Sequence, residues 1–262
     1  MKSYTKKFFN LLGFELHRLK STSNILRSAN TKSLTIELMG PSGIGKSTLC
    51  SDAKNVLRHK WNIKYPEVTQ VRLDSNNQLD EFYRCCINNK SLNLFERENS
   101  FERYVRLLPF FIERAKEDRH LKLSGLLNKA GCFLDDGFCH NLTTEIIHVI
   151  EHHKIDNDTL KIFFESRNFI LLNATDDWML RNLRNRQKRT PGAGNDWLSV
   201  YGETSIIEYV RWELNQTRKL VEYSTQYGAF SYEINISDIN NDALSSLIDI
   251  ESKIIRNNRN YA

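Results

Sequence analysis

The sequence has no apolar run approaching the roughly 18 residues that a membrane-spanning helix requires, so we do not expect the chain to cross a bilayer. A convincing secretory signal is missing as well. Two lysines precede an apolar run over residues 8–16, but that run is short, contains Glu15 and lacks a small-residue cleavage site after it. These absences predict a cytoplasmic protein.

Paired cysteines are also absent. The five cysteines form no Cys-x-x-Cys motif and no set with histidines at metal-ligand spacing. Their odd number favours reduced, packed thiols, to which we assign no function. The histidines within residues 140–153 lack acidic or cysteine partners at useful spacing, so we expect them to be solvated or to lie at the edge of the core.

The excess of positive charge is confined to the start of the chain. Of the formal net charge of +5, residues 1–32 contribute +6 and the remaining residues contribute −1. A nucleic-acid-binding protein usually has a broadly basic surface, so nucleic acid is not the partner that we expect.

Residues 4–20 are predicted to form an amphipathic helix, followed by a polar linker over residues 21–32 and one main domain over residues 33–262. Its apolar stripe includes Phe8 and Leu12. Two interpretations stay open. The stripe packs on the main domain or on another subunit, or the helix lies on an anionic membrane surface with its cations toward the headgroups. The oligomeric state is not specified by the sequence.

One stretch organises the rest of the chain. It consists of Gly40, Pro41, Ser42, Gly43, Ile44, Gly45, Lys46, Ser47 and Thr48. This order fits the phosphate-binding pattern Gly-x-x-x-x-Gly-Lys-Ser/Thr at every fixed position, with a strand-like run before it and helix-compatible residues after it. The sequence therefore predicts a binding site for the phosphates of a nucleoside triphosphate.

The chemistry of phosphate binding explains this spacing. Glycines let backbone N–H groups close on phosphate oxygens without a Cβ in the way. The phosphates then lie at the N-terminus of the next helix, where unpaired N–H groups and the helix dipole favour negative charge. Lys46 is expected to reach the β- and γ-phosphates, and the Ser47 hydroxyl to ligate Mg²⁺. ATP and Mg²⁺ are the predicted cofactors.

A second stretch, residues 131–138, places two acids after a short apolar run. Downstream of a phosphate-binding loop, a carboxylate at the end of the neighbouring strand holds Mg²⁺. We assign this metal role to Asp135. Asp136 then faces the γ-phosphate or the acceptor, as a base or a water-orienting group, or it is an ordinary turn residue.

A cation-rich helix is predicted after the strand-like residues 168–174. It contains Arg181, Arg184, Arg186, Lys188 and Arg189, and it runs into a Pro/Gly-rich tip at residues 190–194. Cation-rich helices also bind RNA, but this one follows the segments of a triphosphate site as a lid would. We therefore predict that its arginines clamp the phosphoryl group during transfer.

Strand-like and helix-like segments alternate along the chain, which predicts an α/β fold with a mainly parallel sheet covered on both faces. A second strand is expected over residues 67–73, where Arg72 and Asp74 are candidates for the acceptor site or ordinary turn residues. The final strand and helix are expected over residues 230–236 and 241–257.

Residues 78–127 are predicted to form a helical insertion in this fold. Apolar residues recur there at helical spacing and are expected to be core; they are Tyr104, Val105, Leu108, Phe111 and Ile112. Arg103, Arg106 and Arg114 face either a phosphorylated acceptor or solvent.

Taken together, these features resemble the P-loop kinase superfamily, in particular its nucleoside-monophosphate-kinase and thymidylate-kinase-like branch. The likeness covers roughly residues 34–257. The resemblance implies a three-layer P-loop fold with a five-stranded parallel core, MgATP as the donor and an Arg-rich lid. The chain departs from the family where Asp135 and Asp136 replace the usual Asp-Arg pair, and it has no convincing motif that recognises a nucleotide acceptor.

The leading hypothesis is a kinase that moves the γ-phosphoryl group of MgATP to a small-molecule, nucleotide or glycan-precursor acceptor. The alternatives are a P-loop ATPase switch that acts with a protein or membrane partner, and a nucleotide-binding module without turnover. Transporter ATPases and GTPases are disfavoured, because Leu-Ser-Gly is not followed by Gly-Gln and no Asn-Lys-x-Asp motif occurs.

Overall fold

The computed structural model describes residues 34–58, 60–65, 76–97, 101–124, 131–189, 197–237 and 243–259. The predicted N-terminal helix and linker lie outside the described residues, as do the predicted strand over residues 67–73, Arg72, Asp74 and the predicted lid tip. Their structures stay predictions. Within the described part of the chain, no helix combines the length and apolarity needed to cross a membrane.

A five-stranded sheet forms the centre of the described domain. Its strands are β1 Leu34–Met39, β2 Trp61–Asn62, β3 Gly131–Leu134, β4 Arg167–Asn173 and β5 Phe230–Asn235. They lie in the order β2-β3-β1-β4-β5, and every pairing is parallel. The predicted five-stranded parallel α/β fold is confirmed.

Helices connect these strands. After β1 comes α1 Lys46–Leu57, and between β2 and β3 lie α2 Asn77–Arg97 and α3 Phe101–Ser124. Between β3 and β4 lie α4 Phe138–Asn141, α5 Thr143–His152 and α6 Asn157–Phe164. The chain continues with α7 Asp176–Arg189 and α8 Trp197–Thr225, which is kinked at Gly202, and ends after β5 with α9 Ala243–Arg259.

The burial of the strands explains their sequences. β1 and β4 are buried along almost their whole length, as expected for central strands covered on both faces. β4 contains a continuous apolar run over residues 169–172, whereas β1 includes the buried polar side chains of Thr35 and Glu37. The edge strand β5 instead buries only Ile234, which accounts for its alternating pattern. Pairing places Glu37 of β1 opposite Leu134 of β3, so both strands end at the same edge of the sheet.

The helical insertion is confirmed as α2 and α3, but the predicted core positions on α3 are only partly correct. Phe111 packs against the core, whereas the Val105 side chain is 48% exposed. The apolar spacing of α3 therefore extends beyond the part of the helix that the rest of the domain covers.

Two elements were not predicted from the sequence. The helix after the phosphate-binding loop ends at Leu57, and Trp61 instead joins the sheet in β2, where its indole Nε1 donates to Glu251 Oε1 over 2.8 Å. The second unpredicted element is α6, although Asp156 caps that helix by accepting from the Thr159 N–H.

Candidate functional site

The phosphate-binding loop and the acidic turn meet at the carboxyl edge of the sheet. The loop leaves β1 and leads into α1, and Asp135 directly follows β3. Parallel neighbouring strands deliver their following residues to the same edge, where ligands bind in open α/β sheets. The short apolar run and its terminal acids therefore lie where the sequence predicted them.

The loop has a backbone conformation that requires glycine. Gly43 and Gly45 have φ angles of +86° and +114°, which side chains with a Cβ rarely adopt. A Cβ built at Gly43 would also lie 2.8 Å from Leu183 Cδ2 on α7. Gly45 precedes α1, and no described side chain caps that helix, whose first turn contains no acid. Its N-terminal N–H groups therefore favour an anion.

Lys46 lies inside this loop. Its buried ammonium donates to the carbonyl oxygens of Gly40 at 2.6 Å and Pro41 at 3.0 Å. Burial lowers the pKa of Lys46 to about 8, although the nearby carboxylates of Glu213, Asp136 and Asp135 oppose that change. The three acids thus offset part of the cost of burying the Lys46 charge, and an anion bound in the loop would favour that charge further.

Two side chains from different helices hold Asp136. Asn141 Nδ2 donates to Asp136 Oδ1 over 2.8 Å, and an Arg114 guanidinium nitrogen lies 3.4 Å from Asp136 Oδ2. The Asp136 side chain is nevertheless 45% exposed. A carboxylate that is both oriented and open to a cavity can accept a hydrogen bond from an incoming hydroxyl group.

A cavity of about 1100 Å³ joins the predicted elements. Its lining includes loop residues 42–48, Asp135, Asp136, Arg186 and Arg189. Gly40 and Pro41 are not part of this lining, but their carbonyl groups accept from Lys46, which is part of it. The structure thus brings together most of the predicted site residues.

The four predicted lid arginines separate into two pairs. Arg186 and Arg189 line the cavity, and Arg186 donates to Ser42 Oγ over 3.2 Å. Arg184 instead forms an exposed ion pair with Glu203 of α8, and neither Arg184 nor Arg181 is part of the described cavity lining. Arg186 and Arg189 can therefore contact a ligand bound in this cavity.

Sequence reasoning missed several lining residues. Trp178 and Asn182 of α7 face the cavity, and the buried Trp178 indole Nε1 has no hydrogen-bond partner among the described residues. The signal was present in the sequence, since Trp178, Asn182, Arg186 and Arg189 recur at spacings of four and three and so share one face of the helix. Ile236, just after β5, lines the same cavity.

Two further titratable groups surround Lys46. Burial, with Lys46 and Lys90 nearby, lowers the pKa of His140 well below its usual value, so the imidazole is neutral near pH 7. Burial also raises the pKa of Glu213, while Lys46 and the Ser42 N–H oppose that rise. Neither residue could be recognised from the sequence, because its proximity to Lys46 depends on which helices pack against the loop.

No protein-family model matches the chain, and no curated protein matches it significantly. Among solved structures, a shikimate kinase from Bacteroides thetaiotaomicron is 15% identical, with a TM-score of 0.40, over 84% of this chain and 98% of that one. A deoxyadenosine kinase from M. mycoides is 13% identical, with a TM-score of 0.42, over 84% and 100% of the two chains. A shikimate kinase from Acinetobacter baumannii is 16% identical, with a TM-score of 0.39, over 88% and 97%.

At these identities and TM-scores, the three likenesses carry no argument about what this chain binds or catalyses. The fold is established by the strand order and pairing, and the chemistry must be inferred from the site.

Proposed function

We propose that this protein is an ATP-dependent phosphotransferase that moves the γ-phosphoryl group of MgATP to a small-molecule acceptor. One observation carries the proposal: a single cavity contains the phosphate-binding loop with Lys46, the paired acids Asp135 and Asp136, and two arginines of α7. These are the components that phosphoryl transfer requires, namely a cradle for the phosphates, an acid for the metal, a group for the acceptor and cations for the transferring group.

The loop and α7 supply the binding of the donor's phosphates. Backbone N–H groups at the start of α1 and the Lys46 ammonium would contact phosphate oxygens, and Lys46 would exchange the carbonyl groups of Gly40 and Pro41 for them. Arg186 already donates to the loop at Ser42, so a small displacement of its guanidinium group would bring it to a phosphate bound there. Positive charge fixed before the reaction lowers its barrier.

Ser47 and Asp135 fit a magnesium site. Both line the cavity, and each offers an oxygen ligand. Mg²⁺ keeps waters and substrate phosphates as most of its ligands, so one or two protein oxygens suffice to hold it. When bound, Mg²⁺ neutralises charge on the phosphates.

Asp136 is the residue that we assign to the acceptor. Asn141 and Arg114 orient its carboxylate, and its exposed fraction faces the cavity. It would accept the hydrogen bond of the attacking hydroxyl group and take its proton as the new bond to the γ-phosphorus forms, while the bond from that phosphorus to the bridging oxygen breaks and ADP leaves.

The cavity lining offers an aromatic surface for the nucleoside of the donor. Trp178 and Ile236 both line the cavity. A planar base can stack on the Trp178 ring. Asn182, one helical turn from Trp178, offers both a donor and an acceptor.

A transfer screen tests the proposal. Radiolabelled ATP and Mg²⁺ are incubated with the full-length protein and with nucleosides, nucleotides, sugars and lipid-linked sugars. The Lys46→Ala variant should lose binding or turnover by well over about tenfold, because it removes a charge-assisted contact. Lys54→Ala, which removes an exposed lysine from the same helix, is the matched control. Hydrolysis of ATP that no acceptor changes would instead favour the ATPase switch.

A further inference from the structure

A buried polar network lies behind the acidic turn. Its members are Glu37 of β1, Tyr65 beyond β2, Tyr83 of α2, Asp118 of α3 and Arg167 of β4, and all five are at most 4% exposed. Burying charged groups is costly unless they are paired and hydrogen-bonded. This network is connected to the segment that follows Asp136, so it can position that part of the candidate site.

Asp118 is the centre of the network. Its Oδ1 accepts from the Tyr65 hydroxyl over 3.0 Å, and its Oδ2 accepts from the Tyr83 hydroxyl over 2.5 Å. The Arg167 guanidinium group donates to the same Oδ2. Arg114, which lies beside Asp136, is one turn before Asp118 on α3, so these bonds fix the helix that carries Arg114.

The short helix α4, which directly follows the acidic turn at residues 135–137, donates two hydrogen bonds to the network. The Phe138 N–H donates to the Tyr65 hydroxyl over 3.0 Å, and the His140 N–H donates to Glu37 Oε1 over 2.6 Å. Both N–H groups belong to the first turn of α4, whose N-cap residue Gly137 has no side chain to cap it. Residues far away in the sequence thus replace a local helix cap.

The position of α4 determines the position of Asp136. Asn141, the last residue of this four-residue helix, donates to Asp136 Oδ1. So short a helix has little stability of its own, so its orientation depends on tertiary contacts. The approach is close, since a Cβ built at Gly137 would lie 2.3 Å from the Glu37 carboxyl group.

We propose that Tyr65 is a positioning residue for the acidic turn, because its hydroxyl group joins the Asp118 carboxylate of α3 to the Phe138 N–H of α4. Tyr65 thereby fixes the position of Arg114 relative to Asp136. Burial raises the pKa of Tyr65 well above its usual value, so the hydroxyl group keeps the proton that it donates to Asp118. The consequence for catalysis rests on the proposed function.

Tyr83 provides a matched control within the same network. Both tyrosines are buried and both donate to Asp118, but the Phe138 N–H donates to Tyr65. Tyr65→Phe and Tyr83→Phe should therefore both lower the melting temperature, Tyr65→Phe by the larger amount, because it also removes the acceptor of the Phe138 N–H. Tyr65→Phe alone should lower kcat at saturating MgATP, by about tenfold or more, with the KM for ATP changed less than about threefold, because misplacement of a catalytic group impairs the chemical step.

Amide hydrogen exchange measures the contact without substrate. The Phe138 N–H should exchange at least about tenfold faster in Tyr65→Phe than in Tyr83→Phe, since its buried acceptor is lost. Equal exchange in the two variants, or equal losses of kcat, would overturn the positioning role. A wild-type protein that transfers no phosphoryl group would overturn the proposed function, while the exchange difference would still decide whether Tyr65 positions the turn.

Discussion

Glu37 allows the physical description of the buried network to be tested quantitatively. Its carboxyl group is fully buried in β1, accepts from the His140 N–H and lies 3.8 Å from the Arg167 guanidinium group. Its second oxygen, Oε2, has no hydrogen-bond partner among the described residues. Burial raises the pKa of Glu37 to about 7 from 4.5, although Arg167 and the His140 N–H oppose this.

The sign and the size of the effect follow from this pKa. Because the folded protein holds the Glu37 proton more tightly than the unfolded chain does, the contribution to stability is fully present below pH 4.5 and is lost as the pH rises through about 7. Between about pH 5 and about pH 7.5, the free energy of unfolding should fall by about 2 kcal/mol on account of this group. Glu37→Gln should abolish this loss.

Urea denaturation at the two pH values measures the effect. The wild-type midpoint should fall by roughly 1 M more than that of Glu37→Gln, for an m value of about 2 kcal/mol/M. Comparing the two proteins cancels the titration of other buried groups, such as His140 and Lys122, whose pKa values are lowered by burial. Parallel pH profiles for the two proteins would refute the reasoning, since they would mean that Glu37 has no raised pKa.

Three further predictions concern the candidate site. Arg186→Ala should lower kcat/KM by about a hundredfold, whereas Arg184→Ala, which removes an equal charge from the same helix, should change it by less than about threefold in steady-state assays. Gly43→Ala should abolish ATP binding in calorimetry; Gly228→Ala, with a φ of +92° but no described atom within 4 Å of its added Cβ, should only lower the melting temperature. ATP should change the fluorescence of the wild type but not of Trp178→Phe, and inorganic tripolyphosphate should change neither, because it has no base to stack. Equal effects within any of these pairs would contradict the assigned contacts.

The sheet and the phosphate-binding loop could be predicted because their signals are local. Central parallel strands are buried on both faces, so the segment that forms β4 is recognisable as an apolar run. β1 is recognisable from its position directly before the phosphate-binding loop. The loop is recognisable because glycine is required at fixed backbone positions, two of which have positive φ angles at Gly43 and Gly45. Asp135 followed from its position at the end of a short apolar run.

Other features depend on contacts between distant parts of the chain. Trp61 belongs to a two-residue strand whose indole bonds to Glu251, 190 residues later, so nothing local distinguishes it from the end of a helix. The bond between Phe138 and Tyr65 likewise joins residues 73 positions apart. Tertiary packing overrides local propensity at such positions.

The separation of the arginines was predictable in principle. Residues two positions apart on a helix point in nearly opposite directions, so Arg184 and Arg186 cannot both face one cavity. Arg181 and Arg184 were predicted to act together with the other two arginines because all four lie close together in the sequence. The roles of these two residues stay predictions, as does the membrane or subunit contact of residues 4–20, which lie outside the described part of the chain.

A crystal structure of the protein with Mg²⁺ and a nonhydrolysable ATP analogue tests donor binding at this loop most directly. We predict that the triphosphate lies against the backbone N–H groups at the start of α1, and that Lys46 Nζ leaves the carbonyl groups of Gly40 and Pro41 to contact it. An analogue bound elsewhere, with Lys46 still held by those two carbonyl groups, would contradict the proposal that this loop binds the donor.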